Sequence, residues 1–300
     1  MRNDNDNNNN KARAWRLIQK RSALGKSRSY GRENKLISSI GAQRSYHSAI
    51  SLYLMWREAN GLPTNEQDKR SDIEGFLSEI AEQFMQKTID QYLSALAIVF
   101  KKKLPYIKSE ISENNEPRNY YLSELLVIIR HLDERNALAI LLCYFSGLRA
   151  HEVATIKSLS EAKKSNTRKW SNDRFKDIDN YQLYLVVGKG GLIREVAIPS
   201  ELKEFIENRR YDTPKKVKDR SINYLTNYDL GFGKALSESF SRASLKHLGW
   251  STGLHGLRHS YAQNRLYRLI SSDIPFNDAL KVVSEELGHF RPSITLCYLR

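Results

Sequence analysis

Apolar residues recur at three- and four-residue steps through residues 36–104. Tyr46, Ile50, Tyr53 and Leu54 form one stripe, Ile73, Phe76, Leu77 and Ile80 a second, and Ile89, Tyr92, Leu96 and Val99 a third. Such spacing predicts amphipathic helices that share one small core. Gly61-Leu62-Pro63 separates the first two. Periodicity stops over 109–119, where Asn114-Asn115 and Pro117 mark a linker. It resumes at Leu122, with Ser123 as N-cap candidate, and two apolar helical segments run on to Ser146. Residues 160–180 are polar and mixed in charge, which reads as an exposed loop. The period then falls to two in Tyr181-Gln-Leu-Tyr-Leu-Val-Val and again over 193–199, with a glycine turn at 188–191 between them. This is the one clear β-hairpin signal. Helical patterns return after Pro199 and run to the end, and no internal repeat is present. The pattern predicts a mainly α chain with a small β-hairpin, an α+β protein. Its parts are a disordered arm (1–35), a helical domain (36–108), a linker (109–119) and a second domain (120–300).

Composition narrows the class. No apolar run approaches the roughly 18 residues that a membrane span needs, and no apolar segment follows the Asn/Asp-rich start to make a secretory signal. Only Cys143 and Cys297 are present, so a disulfide scaffold is not indicated and a reducing cytoplasmic setting fits. The net charge of +14 points to a polyanionic partner, most commonly nucleic acid. Ribosomal and membrane-surface proteins share such a balance. Between Lys11 and Lys35 nine Lys/Arg face a single acid, Glu33. Lys11, Arg13, Arg16, Lys20 and Arg21 are therefore candidates for an arm along DNA phosphates, against the plainer reading of a solvated tail.

Four short segments of the second domain carry candidate chemistry: Gly147-Leu-Arg-Ala-His-Glu152, Gly188-Lys-Gly-Gly-Leu-Ile-Arg194, His255-Gly-Leu-Arg-His259, and Leu287-Gly-His289 with Tyr298 nine residues on. Each has a plain explanation alone. Arg149 and Glu152 suit a helix-surface pair, and the glycine turn is no P-loop because a strand follows it. His255 and His259 lack further ligands at zinc spacing, so no metal site is expected. Together they meet the needs of phosphodiester cleavage. Two guanidiniums, Arg149 and Arg258, suit a phosphate gaining charge, and Lys189 on a hairpin tip can protonate a leaving oxygen. His255 and His289 can handle or position a tyrosine proton. Tyr298 supplies the nucleophile.

In this order and spacing the sequence resembles the tyrosine recombinase (phage integrase) family. The family's Arg, Lys, His-x-x-Arg, His/Trp and Tyr positions match Arg149, Lys189, His255, Arg258, His289 and Tyr298, and the resemblance covers roughly 120–300. A helical domain ahead of it extends the likeness to about residue 36. The resemblance implies a SAM-like core-binding domain and a recombinase catalytic domain. It implies attack by Tyr298 to leave a 3′-phosphotyrosyl link and a free 5′-hydroxyl. Arg149 and Arg258 would clamp the phosphate, Lys189 would be general acid, His255 would transfer a proton and His289 would bond the phosphate. Glu152 would hold an active-site residue in place, and Arg194 would lie on the DNA backbone. Neither ATP nor a metal or other cofactor is implied. The implied partners are double-stranded DNA with a specific site, a homotetramer on two sites, and accessory DNA-bending or directionality proteins. The setting would be a prokaryotic cytoplasm and the role integration or excision of a mobile element. Type IB topoisomerase activity and a catalytically silent DNA-binding role are the alternatives. Only Leu299 and Arg300 follow the tyrosine, so subunit contacts would be made elsewhere or beyond this sequence.

Overall fold

The computed structural model describes residues 4–62, 68–112, 116–188 and 190–299. The chain divides into two compact units between Asn114 and Asn115, inside the segment read as linker. The first unit is helical: α1 (Asp4–Gln19), α2 (Arg28–Glu33), α3 (Ile40–Ala59), α4 (Arg70–Ala81) and α5 (Gln86–Phe100). Ile50, Tyr53, Leu54, Ile73, Phe76, Leu77, Ile80, Ile89, Leu96 and Val99 are buried in one core, with Tyr46 and Tyr92 packed partly buried against it. Ser39 caps α3 by accepting the Ala42 N–H at 3.1 Å, which satisfies one of the orphan donors of the first turn.

The N-terminal segment departs from the disordered arm expected of it. From Asp4 it is helix, and Ala14 and Ile18 are fully buried in the core of the first unit. The Asn10 amide donates to Glu58 at 2.6 Å, and the His47 ring Nε2 lies 2.9 Å from the Lys11 carbonyl oxygen. The physical signal is the short stripe Ala14, Leu17, Ile18, masked in the sequence by the polar Asn run before it. Lys11, Arg16 and Lys20 stay exposed, while Arg13 and Arg21 are half-buried.

The second unit opens with α6 (Leu122–Ile129) and α7 (Glu134–Ser146). Tyr121, not Ser123, stands at the N-cap of α6, and its backbone N–H is taken by the Glu124 carboxylate at 2.8 Å. Two strands follow, β1 (Tyr181–Val187) and β2 (Ile193–Pro199), paired antiparallel from Tyr181↔Pro199 to Val187↔Ile193. After α8 (Lys203–Glu207) comes a second hairpin, β3 (Arg210–Asp219) and β4 (Ile222–Tyr228), where the sequence reads as helical. Its residues up to Leu225 are almost all exposed or half-buried, so it carries no alternating apolar face to announce it, and its ladder is interrupted between Arg210 and Lys215. Then come α9 (Gly233–Leu248), α10 (Gly256–Ser271), α11 (Phe276–Glu286) and α12 (Pro292–Thr295), with a last 3-10 turn at Leu296–Tyr298. The main core joins α6, α7, α9 and the first hairpin, and a second packs α10 against α11 and Tyr298.

The stretch 160–180, expected as a free loop, is docked. Phe175 is buried, and backbone N–H groups of Ser171 and Phe175 donate to Glu285 and Glu286 of α11 at 2.6 and 2.9 Å.

Candidate active site

The end of α7 delivers the first arginine. Gly147 closes that helix at φ 59°, a conformation that favours glycine, and a Cβ there would sit 2.7 Å from the Tyr261 ring. Two residues later the Arg149 backbone N–H and guanidinium both donate to Glu152, at 2.9 and 2.5 Å. Glu152 is fully buried. Burial works to raise its pKa, but Arg194, Arg258 and Arg149 outweigh it and hold the carboxyl down to about 2. It is a carboxylate at any working pH.

Arg258 comes from the first turn of α10 and is fully buried. Its guanidinium donates to the carbonyl oxygens of Gly147 and Leu287, the latter at 3.1 Å. Burial, and then the charge of Arg149, push it down to about 10, which leaves it cationic at neutral pH. The remaining Nη2 atoms of Arg149 and Arg258 converge on one atom, His289 Nε2, at 3.1 and 3.3 Å. A guanidinium can only donate, so Nε2 accepts and the ring proton sits on Nδ1. Burial and the two arginines push His289 down to about 3, which fits a neutral ring.

His255 caps the same α10, and its Nε2 lies 3.1 Å from the Tyr298 hydroxyl. Burial and then Arg258 push His255 down to about 3 as well. Tyr298 is 5% exposed, and its ring is flanked by His289 at 5.4 Å, His259 at 4.8 Å and the Arg258 guanidinium at 5.7 Å. Gln263 of α10 donates to the Tyr298 carbonyl at 3.0 Å and so anchors the last turn. The spacing of the arginine box, the His-x-x-Arg turn and the His289–Tyr298 step thus brings Arg149, Glu152, His255, Arg258, His289 and Tyr298 into one cluster. Lys189 lies outside the described residues. Gly188 beside it opens the hairpin turn, with its ideal Cβ position 3.3 Å from Glu152 Oε1.

Arg194 requires a correction. Expected on the DNA backbone, it is 1% exposed and donates to Glu152 at 2.7 Å. The loop Leu287-Gly288-His289 runs over it: Gly288 has φ 73°, and a Cβ there would stand 3.1 Å from Arg194 Cδ. The strand period carried the signal, since Arg194 shares the inward face of β2 with Val196 and Ile198. Lys11, Arg13, Arg16, Lys20 and Arg21 belong to the first unit and take no part in this cluster. His259 is buried on α10. Gln263 was missed, and nothing in its sequence context marks it.

Among the described residues no group of three or more His, Cys, Asp or Glu forms a metal-binding set. The cluster instead offers two cations aimed at one point, a hydroxyl beside a neutral imidazole, and a buried carboxylate fixing the cations. That arrangement suits an oxyanion gaining charge next to an oxygen nucleophile.

No family model matches the chain. It is 25% identical over 302 residues to the tyrosine recombinase XerC of Lactobacillus delbrueckii subsp. bulgaricus, covering 89% of this chain and 92% of that one. It is 28% identical over 190 residues to the tyrosine recombinase XerA of Pyrococcus furiosus, covering 60% of this chain and 54% of that one. Among solved structures, the fold is similar to the XerH site-specific recombinase bound to its palindromic difH substrate in a post-cleavage complex. There the TM-score is 0.57 at 18% identity, over 88% of this chain and 77% of that one. A lambda integrase dimer bound to a COC′ core site gives 0.52 at 17%, over 87% and 89%. The fold agrees with these structures, the sequence with the recombinases, and the cluster with the order of motifs: all three support the tyrosine recombinase family for this chain.

Proposed function

We propose that this protein cleaves and rejoins DNA at a specific site, with Tyr298 as the nucleophile. The convergence of Arg149 and Arg258 on His289 Nε2, with the His289 ring stacked on that of Tyr298, carries the reading. A neutral nitrogen between two guanidiniums marks a seat suited to a phosphate oxygen. With DNA bound, the Tyr298 oxygen attacks the scissile phosphorus and the bond to the 5′-oxygen breaks. The tyrosine proton passes to His255, and the leaving 5′-oxygen takes a proton from Lys189, a role that rests on the motif. His289 swings to bond the phosphate once an anion fills the seat, and Glu152 with Arg194 fixes the angle of Arg149. The 3′-phosphotyrosyl bond conserves the energy of the broken one, so a 5′-hydroxyl from a partner strand reverses the attack.

XerH and lambda integrase were solved on DNA, which supports double-stranded DNA as the partner here, in keeping with the net charge of +14. We further read the role as integration or excision of a mobile element by a homotetramer on two sites, in the cytoplasm and with accessory proteins setting direction. The test is a nicked suicide substrate whose short 5′ fragment diffuses away after cleavage. Wild-type protein is expected to accumulate a covalent adduct, and Tyr298→Phe to form none while binding the same DNA nearly as well. Adduct formation by Tyr298→Phe would place the nucleophile elsewhere.

A further inference from the structure

Residues 160–180 supply no member of the cluster, yet they touch both the β1–β2 hairpin and the segment that leads from α11 to Tyr298. At one end Ser165 pairs with the start of β2: its N–H donates to the Ile193 carbonyl at 2.9 Å, and its Oγ accepts the Ile193 N–H at 3.0 Å. Glu195, on the opposite face of β2 from Arg194, accepts from Lys164 at 3.0 Å and from Arg174. These bonds grip the hairpin just past its turn.

At the other end the segment sits on the C-terminal turn of α11. Carboxylates there oppose the helix dipole and need donors. Glu285 receives the Ser171 N–H, and Glu286 receives the Phe175 N–H beside a two-point contact from Arg265. Between the two ends stands Trp170. Its ring meets Phe290 edge to face at 4.7 Å, the Arg174 guanidinium covers it at 4.4 Å, and its N–H is spent on the Ser165 carbonyl at 2.9 Å. Arg168 lies 5.5 Å over the Phe290 ring.

Phe290 is the residue after His289, and its φ is 55°. A bulky side chain in the left-handed region persists only where the surroundings hold it there. Here Trp170 and Arg168 are the holders. The backbone twist at Phe290 in turn sets how His289 leaves α11 and how the chain enters α12 toward Tyr298.

We propose that residues 164–175 form a brace between the Lys189 hairpin and the His289–Tyr298 arm, with Trp170 as its positioning residue. Trp170 fixes Phe290, and through it the place of His289 between Arg149 and Arg258. Glu195, through Arg174, fixes the hairpin end. The inference rests on the recombinase reading above. Because the indole face and N–H are both occupied within the protein, the brace works by packing and not by contact with DNA.

The experiment follows covalent adduct formation by the 300-residue chain over suicide-DNA concentrations that rise to saturation. Trp170→Ala is expected to slow it tenfold or more with DNA affinity within twofold of wild type, and Trp170→Phe to recover most of the rate. Arg168→Ala, an exposed side chain whose loss does not endanger folding, is expected to slow it two- to threefold. A substrate with sulfur at the 5′-bridging position separates the two ends, because a thiolate departs without a proton. That substrate is expected to restore Glu195→Ala, which loosens the hairpin, and to leave Trp170→Ala slow. A wild-type rate for Trp170→Ala, or a defect removed by raising DNA concentration, overturns the brace; the latter makes the segment a DNA contact. Absence of adduct with wild-type protein strikes the recombinase reading instead.

Discussion

Glu152 holds together charges that would otherwise repel. Arg149 and Arg194 donate to it, and Arg258 Nη1 stands 4.0 Å away. Lowering its carboxyl from 4.5 to about 2 corresponds to roughly 3 kcal/mol of stability tied to its charge. The folded pKa is depressed, so this contribution is complete above about 4.5 and is lost as pH falls toward 2. Glu152→Gln keeps the shape but leaves buried guanidiniums uncompensated, which typically costs about 3–5 kcal/mol. The variant is therefore expected to be much less stable than wild type in denaturant at pH 7. The gap should narrow as pH drops from 4.5 toward 2, where wild type surrenders the same charge. An equal gap at pH 7 and pH 3 would show that the loss is steric. For Glu152 a holding role came only from the family resemblance, since its three-residue step from Arg149 suited a helix-surface pair equally well. Arg194 was not legible in sequence, because an arginine on a strand beside a glycine turn suggests surface. The strand period sets Arg194 on the inward face of β2, but its partner, the carboxylate 42 residues earlier in the chain, is a contact no local pattern contains.

At the scale of elements, α1 contributes to a core although the sequence reads as either a solvated tail or an arm along DNA. Its Ala14–Ile18 stripe is core, while Lys11, Arg16 and, just past its end, Lys20 are exposed. Deleting the segment would therefore damage folding and obscure any effect on DNA. Replacing Lys11, Arg16 and Lys20 together by Gln keeps the stripe. Each phosphate contact contributes about 0.9 to the slope of log affinity against log salt. The triple variant is expected to flatten that slope by up to about 3, with its melting temperature near that of wild type. An unchanged slope would make α1 purely structural. Elements were readable wherever burial imposes a period. The stripes of α3, α4 and α5 and the β1–β2 alternation are buried on one side, and each appears where the pattern puts it. The β3–β4 hairpin was not readable, because it buries only the end Thr226, Asn227 and Tyr228, and its side-chain ties to Glu161 and Glu207 are polar contacts distant in sequence. Its Asp219 carboxylate also accepts the Lys234 N–H at the start of α9, at 3.0 Å, a tie to the neighbouring helix rather than to a core.

At the scale of the whole molecule, the candidate chemistry lies in one of the two units. Arg149, Glu152, His255, Arg258, His289 and Tyr298 all fall in the second, as does Lys189 in sequence, while the exposed cations of α1 fall in the first. Each unit also has its own core: α1, α3, α4 and α5 in the first, and the α6–α7–α9 and α10–α11 clusters in the second. A segment with its own core is expected to fold alone. Residues 116–300 produced by themselves should therefore give a cooperative unfolding transition and still form the Tyr298 adduct on suicide DNA. Where the exposed cations of the first unit meet phosphates, the affinity of the fragment should fall at least tenfold. At saturating DNA the adduct rate should come back to within a few-fold of the full chain. A fragment that folds and binds but forms no adduct would mean that the first unit acts on the reacting phosphate itself. In that case the second unit alone would not be the catalytic unit, and the cluster around Glu152 would be a necessary part of the site but not all of it.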